Sequence, residues 1–413
     1  MSAELQVRTM LTRRRSLASL LATTAVFVAG CSNSSNVFSS NPNLFSNAPP
    51  APLAGAPEQA AGATIGAGQV KVALILPLSA GGNAGVAGQS MRNAADMALA
   101  EFSSPNVQLL VKDDAGSADA ARAGAQQALD EGAEIILGPL FAQSVSAVGQ
   151  VTRPRNIPMI AFSTDANVAS SGVYLLSFLP ESDVQRIVQY ASSTGKRSYA
   201  ALMPDNPYGA VVEAAFRQDV ARRGGQIVVL EHYAHDKAAM AGPAKTVAQA
   251  AARADALFIP DGGDAVPDVI QMLVGSGLNT KKIQLLGTGL WDDPRIYATP
   301  ALDGGWYAAP DAAGFRSFSA RYRSRYNADP ARTATLAYDA VALVAALVKT
   351  QPDPQQRFSQ TVLTNPSGFT GIDGLFRFRP DGTNERGLAV LRVSQSGSQI
   401  IAPPPRSFGT SGI

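Results

Sequence analysis

Residues 133–165 constrain this chain most. Two short apolar runs, 133–137 and 157–162, flank a segment in which Val145 and Val148 share one helical face, and Pro154 closes that helix near Arg153. Short, nearly uninterrupted apolar runs mark parallel strands that are covered on both faces, because neither side is left to water. The unit therefore reads as strand, helix, strand. Each strand stops in small or polar turn residues, Gly138-Pro139-Leu140 after the first and Ser163-Thr164-Asp165 after the second. In open α/β sheets, ligands collect outside the carboxyl ends of the strands, where backbone N–H groups and helix N-termini point. Two strand ends thus predict a binding edge, and nothing in the unit predicts a catalyst.

The same rhythm extends on both sides. Strands are predicted at 72–76 and 107–111, with helices over 86–102 and 117–130; Met91, Ala94, Ala95, Ala98, Leu99 and Phe102 form one stripe of the first helix. After Pro180-Glu181-Ser182-Asp183, which reads as a helix start, four more apolar strands follow at 199–203, 227–230, 256–259 and 283–286. Helical segments near 183–190, 210–222, 246–252 and 266–273 precede or separate them. Two runs of alternating strands and helices predict two lobes of like architecture, each with a parallel sheet and right-handed crossovers. Further on come residues 307–310, an aromatic helix over 315–326 and a very apolar helix over 336–348. The chain closes with strand-like runs at 374–379 and 387–393 around the turn Pro380-Asp381-Gly382-Thr383, then a loose tail.

The start of the chain reads differently. Arg13-Arg14-Arg15 precede a short apolar run that ends in Val28-Ala29-Gly30-Cys31. A basic n-region with a short h-region is a secretory signal, since a membrane span needs roughly 20 apolar residues. Those last four residues resemble the bacterial lipoprotein box, in which the cysteine, here Cys31, becomes the acylated new N-terminus. Residues 12–17 also resemble a twin-arginine signal, and Met10 is an alternative start. Ser32 after the cysteine favours the outer membrane. Residues 32–69, rich in Ser, Asn, Pro, Ala and Gly and without apolar periodicity, read as a flexible tether.

The whole chain carries a net charge of +2 from 34 basic and 32 acidic residues. Four of those basic residues and one acid lie within the first 30, so the rest carries −1 and offers no nucleic-acid footprint. With one cysteine, no intramolecular disulfide is possible. The histidines are His232 and His235. Their spacing suits a metal only on a helix with further ligands, and none is spaced nearby, so a surface loop is the better reading. Ser163, Asp165 and a histidine do not make a nucleophilic triad, because the histidines belong to the other lobe and no G-x-S-x-G elbow occurs. Asp113-Asp114 reads as a strand end and helix cap. No Walker loop, dinucleotide fingerprint, zinc cluster or calcium loop is present, and no cofactor is expected. Two loops of the second lobe are better candidates for ligand contact: Asp205-Asn206-Pro207-Tyr208-Gly209 after its first strand, and 287–293 with Trp291 after its fourth.

These features resemble the type I periplasmic binding-protein superfamily, above all its Leu/Ile/Val-binding branch. The resemblance rests on 72–79 (through Pro77-Leu78-Ser79), Lys112-Asp113-Asp114, Gly138-Pro139-Leu140, Asn156-Ile157-Pro158, Asn206-Pro207-Tyr208-Gly209 and the late run 374–382. It spans about 70 to 393 and implies an α/β fold of two Rossmann-like lobes closing on a ligand. The implied division is a signal peptide at 1–30, a tether at 31–69, lobe one at 70–178 and 310–370, lobe two at 179–309 and 371–400, and a loose tail at 401–413. The implied ligand positions in lobe one are Ser79, Phe141, Ala142, Ser163, Thr164 and Asp165. In lobe two they are Tyr208, Asp261 and Trp291. Relative to amino-acid binders of this branch, Ala142 stands at the carboxylate-holding serine, Asp165 at the threonine and about Gly289 at the ammonium-holding glutamate, whereas Tyr208 carries over. The resemblance thus implies a non-enzymatic periplasmic lipoprotein for a small polar solute, amino-acid-like or cationic, with an ABC permease as partner. Lipoprotein activators of penicillin-binding proteins also share the Pro77-Leu78-Ser79 and Gly138-Pro139-Leu140 segments, which makes a penicillin-binding protein the alternative partner.

Overall fold

The computed structural model describes residues 64–408. The signal, Cys31 and most of the expected tether lie outside the described residues, as do 409–413.

The first sheet runs β1 (Thr64–Ile65), β3 (Val107–Asp113), β2 (Val70–Leu76), β4 (Ile135–Leu137), β5 (Met159–Ala161), β6 (Val173–Leu175) in spatial order. All its pairings are parallel except that of β1 with β3. Helices α1 (Gly82–Glu101), α2 (Ala118–Asp130) and α3 (Ala142–Thr152) connect β2 to β5. Helices on both faces explain why β2, VKVALIL, is buried along nearly its whole length. In α2 the Ser117 side chain caps the helix by accepting from Ala120 N, while Ala121, Ala125 and Ala128 face the sheet. Because β1 pairs with Leu109 and Leu110 of β3, the end of the expected tether is an edge strand rather than a linker.

The second part opens with α4 (Pro180–Ser193). Pro180 occupies its first turn, and Glu181 and Asp183 lie where the helix dipole favours anions. Then follow β7 (Ser198–Pro204), α5 (Pro207–Arg222), β8 (Gln226–Tyr233), α6 (Lys237–Ala250), β9 (Ala256–Phe258), α7 (Val266–Gly275), β10 (Gln284–Gly287), α8 (Pro294–Tyr297) and β11 (Trp306–Ala309). Next come α9 (Ala312–Tyr326), α10 (Ala334–Thr350), α11 (Gln360–Leu363), β12 (Phe369–Gly371), β13 (Gly374–Phe378), β14 (Asn384–Arg386), β15 (Ala389–Ser394) and β16 (Gly397–Ala402). The second sheet has the order β16-β15-β11-β10-β9-β7-β8. The fold is thus α/β with two lobes built on parallel sheets, as the alternating pattern predicts.

Three differences from the sequence reading stand out. Strands β6, β12, β14 and β16 lie outside the predicted apolar runs; β16 carries sheet structure into the expected tail, because it pairs with β15 along the edge. The hairpin partner of β13 is β14, not the run beginning at 387, and β15 instead joins β11 in the second sheet. Strands β12–β14 form a small sheet of their own, whose Phe376 and Phe378 complete the lobe-one core together with α10. The return to the second sheet therefore falls at Gly387 and Leu388 rather than at 371. The two lengths of chain that meet there are tied together: Asn384 Nδ2 donates to the carbonyls of Leu175 and Ser177 at 2.8 and 3.0 Å, and Arg386 Nε to that of Ser177 at 2.9 Å.

Candidate functional site

On lobe one the strand ends form a rim of small residues over buried carboxyls. Ser79 is exposed, and its N–H donates to Asp113 Oδ1 at 3.2 Å. Asp114 is fully buried and accepts from Gly116 N at 2.8 Å. Burial, against that hydrogen bond, pushes its carboxyl up to about 6. Phe141 is buried and lies against Gly116, where an added Cβ would meet its ring at 3.5 Å. Phe141 stands at the N-cap of α3 and gives it no side-chain cap, and Ala142 begins the helix. Ser163 is buried, and its hydroxyl accepts from Asp165 N at 3.1 Å. Asp165 is half-buried; its Oδ1 accepts from Asn167 N and Asn167 Nδ2 at 3.0 and 2.9 Å, capping the short turn Ala166–Val168.

On lobe two the local sequence sets the entrance to α5. The Asn206 side chain accepts from Gly209 N at 2.8 Å, and Pro207 fills the first helical position. Gly209 admits no side chain, because a Cβ there would lie 1.9 Å from the Pro204 carbonyl oxygen. This holds Tyr208, whose hydroxyl meets Thr288 Oγ1 at 2.9 Å. Burial, with Asp183, Asp261 and Glu181 nearby, keeps the phenol protonated. Asp183 accepts from Gly289 N at 2.8 Å, and burial together with Glu181 pushes it up to about 7. A Cβ on Gly289 would sit 3.0 Å from that Asp183 oxygen, so a carboxyl from α4 occupies the space a longer residue at 289 would enter. Asp261 is buried and accepts from the Tyr233 hydroxyl, and His235 Nε2 lies 2.7 Å from it. That contact raises the His235 pKa.

A cleft of about 770 Å³ opens between Thr164, Asp165 and Asn167 on one side and Glu181, Val211 and Gln218 on the other. Of the predicted positions, Thr164 and Asp165 line it directly. Tyr208 lies near three acids, Asp183, Asp261 and Glu181. Trp291 does not join them: it is fully buried in the lobe-two core, its indole N–H donates to the Ile259 carbonyl at 3.0 Å, and its ring fills the space left by Gly287 and Gly305. Both histidines are exposed, as expected, and His235 lies in the loop after β8, whereas His232 belongs to the strand itself. His232 lies on β8 beside Glu213 at 2.5 Å, and His235 is tied to Asp261. Sequence reasoning missed Glu181, Asp183, Tyr233 and Thr288. The first two were visible only as acids at a helix start, a pattern that capping alone explains. Among the described residues, no three His, Cys, Asp or Glu side chains gather where they could hold a metal ion, and no helix is long and apolar enough to cross a membrane.

Comparison with known proteins places this architecture. No curated protein matches the chain. Solved structures with the same fold include a Rhodospirillum rubrum protein provisionally assigned as a branched-chain amino acid ABC transporter. It is 19% identical with a TM-score of 0.70, covering 80% of this chain and 99% of that one. An ABC transporter substrate-binding protein from Sphaerobacter thermophilus is 21% identical with a TM-score of 0.65, over 82% of this chain and 98% of that one. A solute-binding protein from R. palustris, solved in complex with benzoate, is 18% identical with a TM-score of 0.56, over 84% and 99%. The family model described as periplasmic binding protein matches residues 69–398. With two sheet-built lobes, an open cleft between them and a family match across most of its length, this chain belongs to the periplasmic binding protein family.

Proposed function

We propose that this chain is the solute receptor of an ABC importer and holds a small polar solute, amino-acid-like or cationic, between its lobes. The observation that carries the reading is that Asp165, at the end of the lobe-one strand β5, and Glu181, at the start of α4, line one open cleft. Carboxylates on both rims favour a cationic group over an anion such as the benzoate of the R. palustris relative. The similarity to solved ABC transporter binding proteins supports the transport role, which is one of binding and not of catalysis.

Calorimetry against amino acids, amines, sugars and cell-wall peptides tests the reading. A hydrogen bond to a charged group contributes about 1.5–3 kcal/mol, so Asp165→Ala is expected to weaken binding roughly 10- to 150-fold. Asp165→Asn retains the acceptor that caps the following turn while removing the charge. Unchanged affinity in that variant would remove Asp165 from the site and leave it a capping residue worth ~1 kcal/mol of stability. Failure to bind any panel member, together with recovery of a penicillin-binding protein by pull-down, would replace the receptor reading with that of a cell-wall synthase activator.

The proposal extends to the anchor. The sequence around Cys31 supports export to the periplasm and attachment through a lipid on that cysteine, with Ser32 favouring the outer membrane. Cys31→Ser is expected to abolish incorporation of labelled palmitate; undiminished labelling would rule the anchor out.

A further inference from the structure

The cleft does not end at the strand ends. It continues along one face of α5, lined by Val211, Ala214, Ala215, Gln218 and Arg222, which recur at helical spacing and so form a single stripe. At 1.5 Å per residue the stripe runs roughly 16 Å from Val211 to Arg222. That is far longer than a single amino acid needs. The near part of the wall is made by small apolar side chains, and Ala214 is exposed.

The charges along this groove are not evenly balanced. Arg222, at the outer end, is paired with Asp219 at 3.2 Å, and Arg379 with Glu385 at 3.5 Å. Asp165 and Glu181 face each other from the two lobes, and among the described residues neither forms an ion pair. Glu181 Oε2 is sealed from solvent and accepts no hydrogen bond. A buried carboxylate oxygen without a donor is costly, and a second carboxylate beside it adds repulsion. Burial, with the neighbouring Asp165 charge, correspondingly raises the Glu181 carboxyl. A cation between the lobes would offset both negative charges and turn the repulsion into an attraction that draws the lobes together. Because these carboxylates do not gather with a third ligating side chain among the described residues, the arrangement suits an ammonium or guanidinium group on a chain better than a chelated metal ion.

We propose that the solute is elongated, with a cationic head received by Asp165 and Glu181 and a largely apolar body laid along the face of α5 formed by Val211, Ala214 and Ala215. The inference rests on the solute-binding reading and narrows its ligand class.

Calorimetry on the full chain with n-butylamine, n-octylamine, octanoate and leucine tests it. Both amines are expected to bind, octylamine more tightly, and octanoate not at all. Glu181→Gln should weaken both amines roughly 10- to 150-fold. Ala214→Phe, which fills the exposed stripe, should cost octylamine on the order of tenfold and butylamine less than about twofold; an unchanged melting temperature establishes that both variants are folded. Binding of leucine or octanoate without the amines overturns the inference and leaves the solute-binding reading standing. Amine binding indifferent to Glu181→Gln, or a chain-length preference untouched by Ala214→Phe, also overturns it. No binding by any of the four overturns the inference, while the solute-binding reading stands or falls with the wider panel and the pull-down.

Discussion

Asp373→Ala is expected to lower the unfolding free energy by about 3–5 kcal/mol, the usual result of removing one partner from a buried ion pair. Asp373 lies in the turn between β12 and β13 with its side chain fully buried. It receives Arg332 Nη2 at 2.5 Å and Nη1 at 3.0 Å, and the Thr335 hydroxyl at 2.6 Å. The Arg332 guanidinium lies 4.5 Å from the ring centres of both Phe178 and Phe315, and Arg386 lies 4.6 Å from that of Phe178. Neither terminal nitrogen of Arg386 has a hydrogen-bond partner, so Asp373 is a main source of negative charge for two buried cations. Without it both guanidinium groups stay buried beside Phe178, where the chain leaves lobe one. Urea unfolding followed by circular dichroism measures the effect, and a loss below about 1 kcal/mol would mean that the pair is no better than a surface one.

The same cluster gives a pH dependence with a definite sign. Burial would raise Asp373, but Arg332 and its hydrogen bonds outweigh that and hold the carboxyl below its ordinary value. Its contribution is therefore present above the unfolded carboxylate pKa of 3.8 and is lost as pH falls toward the folded value. Asp339 behaves oppositely. Burial first, and then the Asp373 charge, push it up to about 7. The folded state keeps a proton there that the unfolded state has released, so stability declines as pH rises from about 4 to about 7. Asp339→Asn should flatten that decline between pH 5 and pH 8, without abolishing it, because Asp183 is raised in the same sense.

Trp291→Ala is expected to cost a further large amount, about 3–5 kcal/mol, through the cavity left in the lobe-two core. The ring is wedged against Gly287 and Gly305 near Leu285 and Leu302, and the mutation would also leave the Ile259 carbonyl with only the Asp261 N–H as donor. Solute affinity, measured where the variant remains folded, should stay within about twofold of wild type. A tenfold loss of affinity with unchanged stability would return Trp291 to the cleft wall, where the loop sequence by itself suggested it belonged.

Trp291 shows where local reading stops. A tryptophan in a Gly-rich loop after a strand looks like a ligand platform. Whether it turns toward the cleft or the core depends on space at Gly305, fourteen positions further on and on the far side of α8. Asp165 shows the converse. Its place at a strand end follows from the apolar run before it, and its capping of the next turn follows from residue type.

By itself the sequence determined the class of fold, the order of most of its elements, the proline-led start of α4, and the edge on which polar groups emerge. These depend on apolar periodicity and on residues within a few positions of one another, so they are written locally. Only the tertiary structure decided that β13 pairs with β14 while β15 crosses to the second sheet, that Trp291 is buried, and that Asp165, Glu181, Asp183 and Asp261 lie close enough to influence one another or Tyr208. The physical reason is that periodicity states which face of an element is apolar but not which other element will cover it. Crossing connections bring together carboxyls that lie on separate elements, and only there do burial and mutual repulsion make them a site.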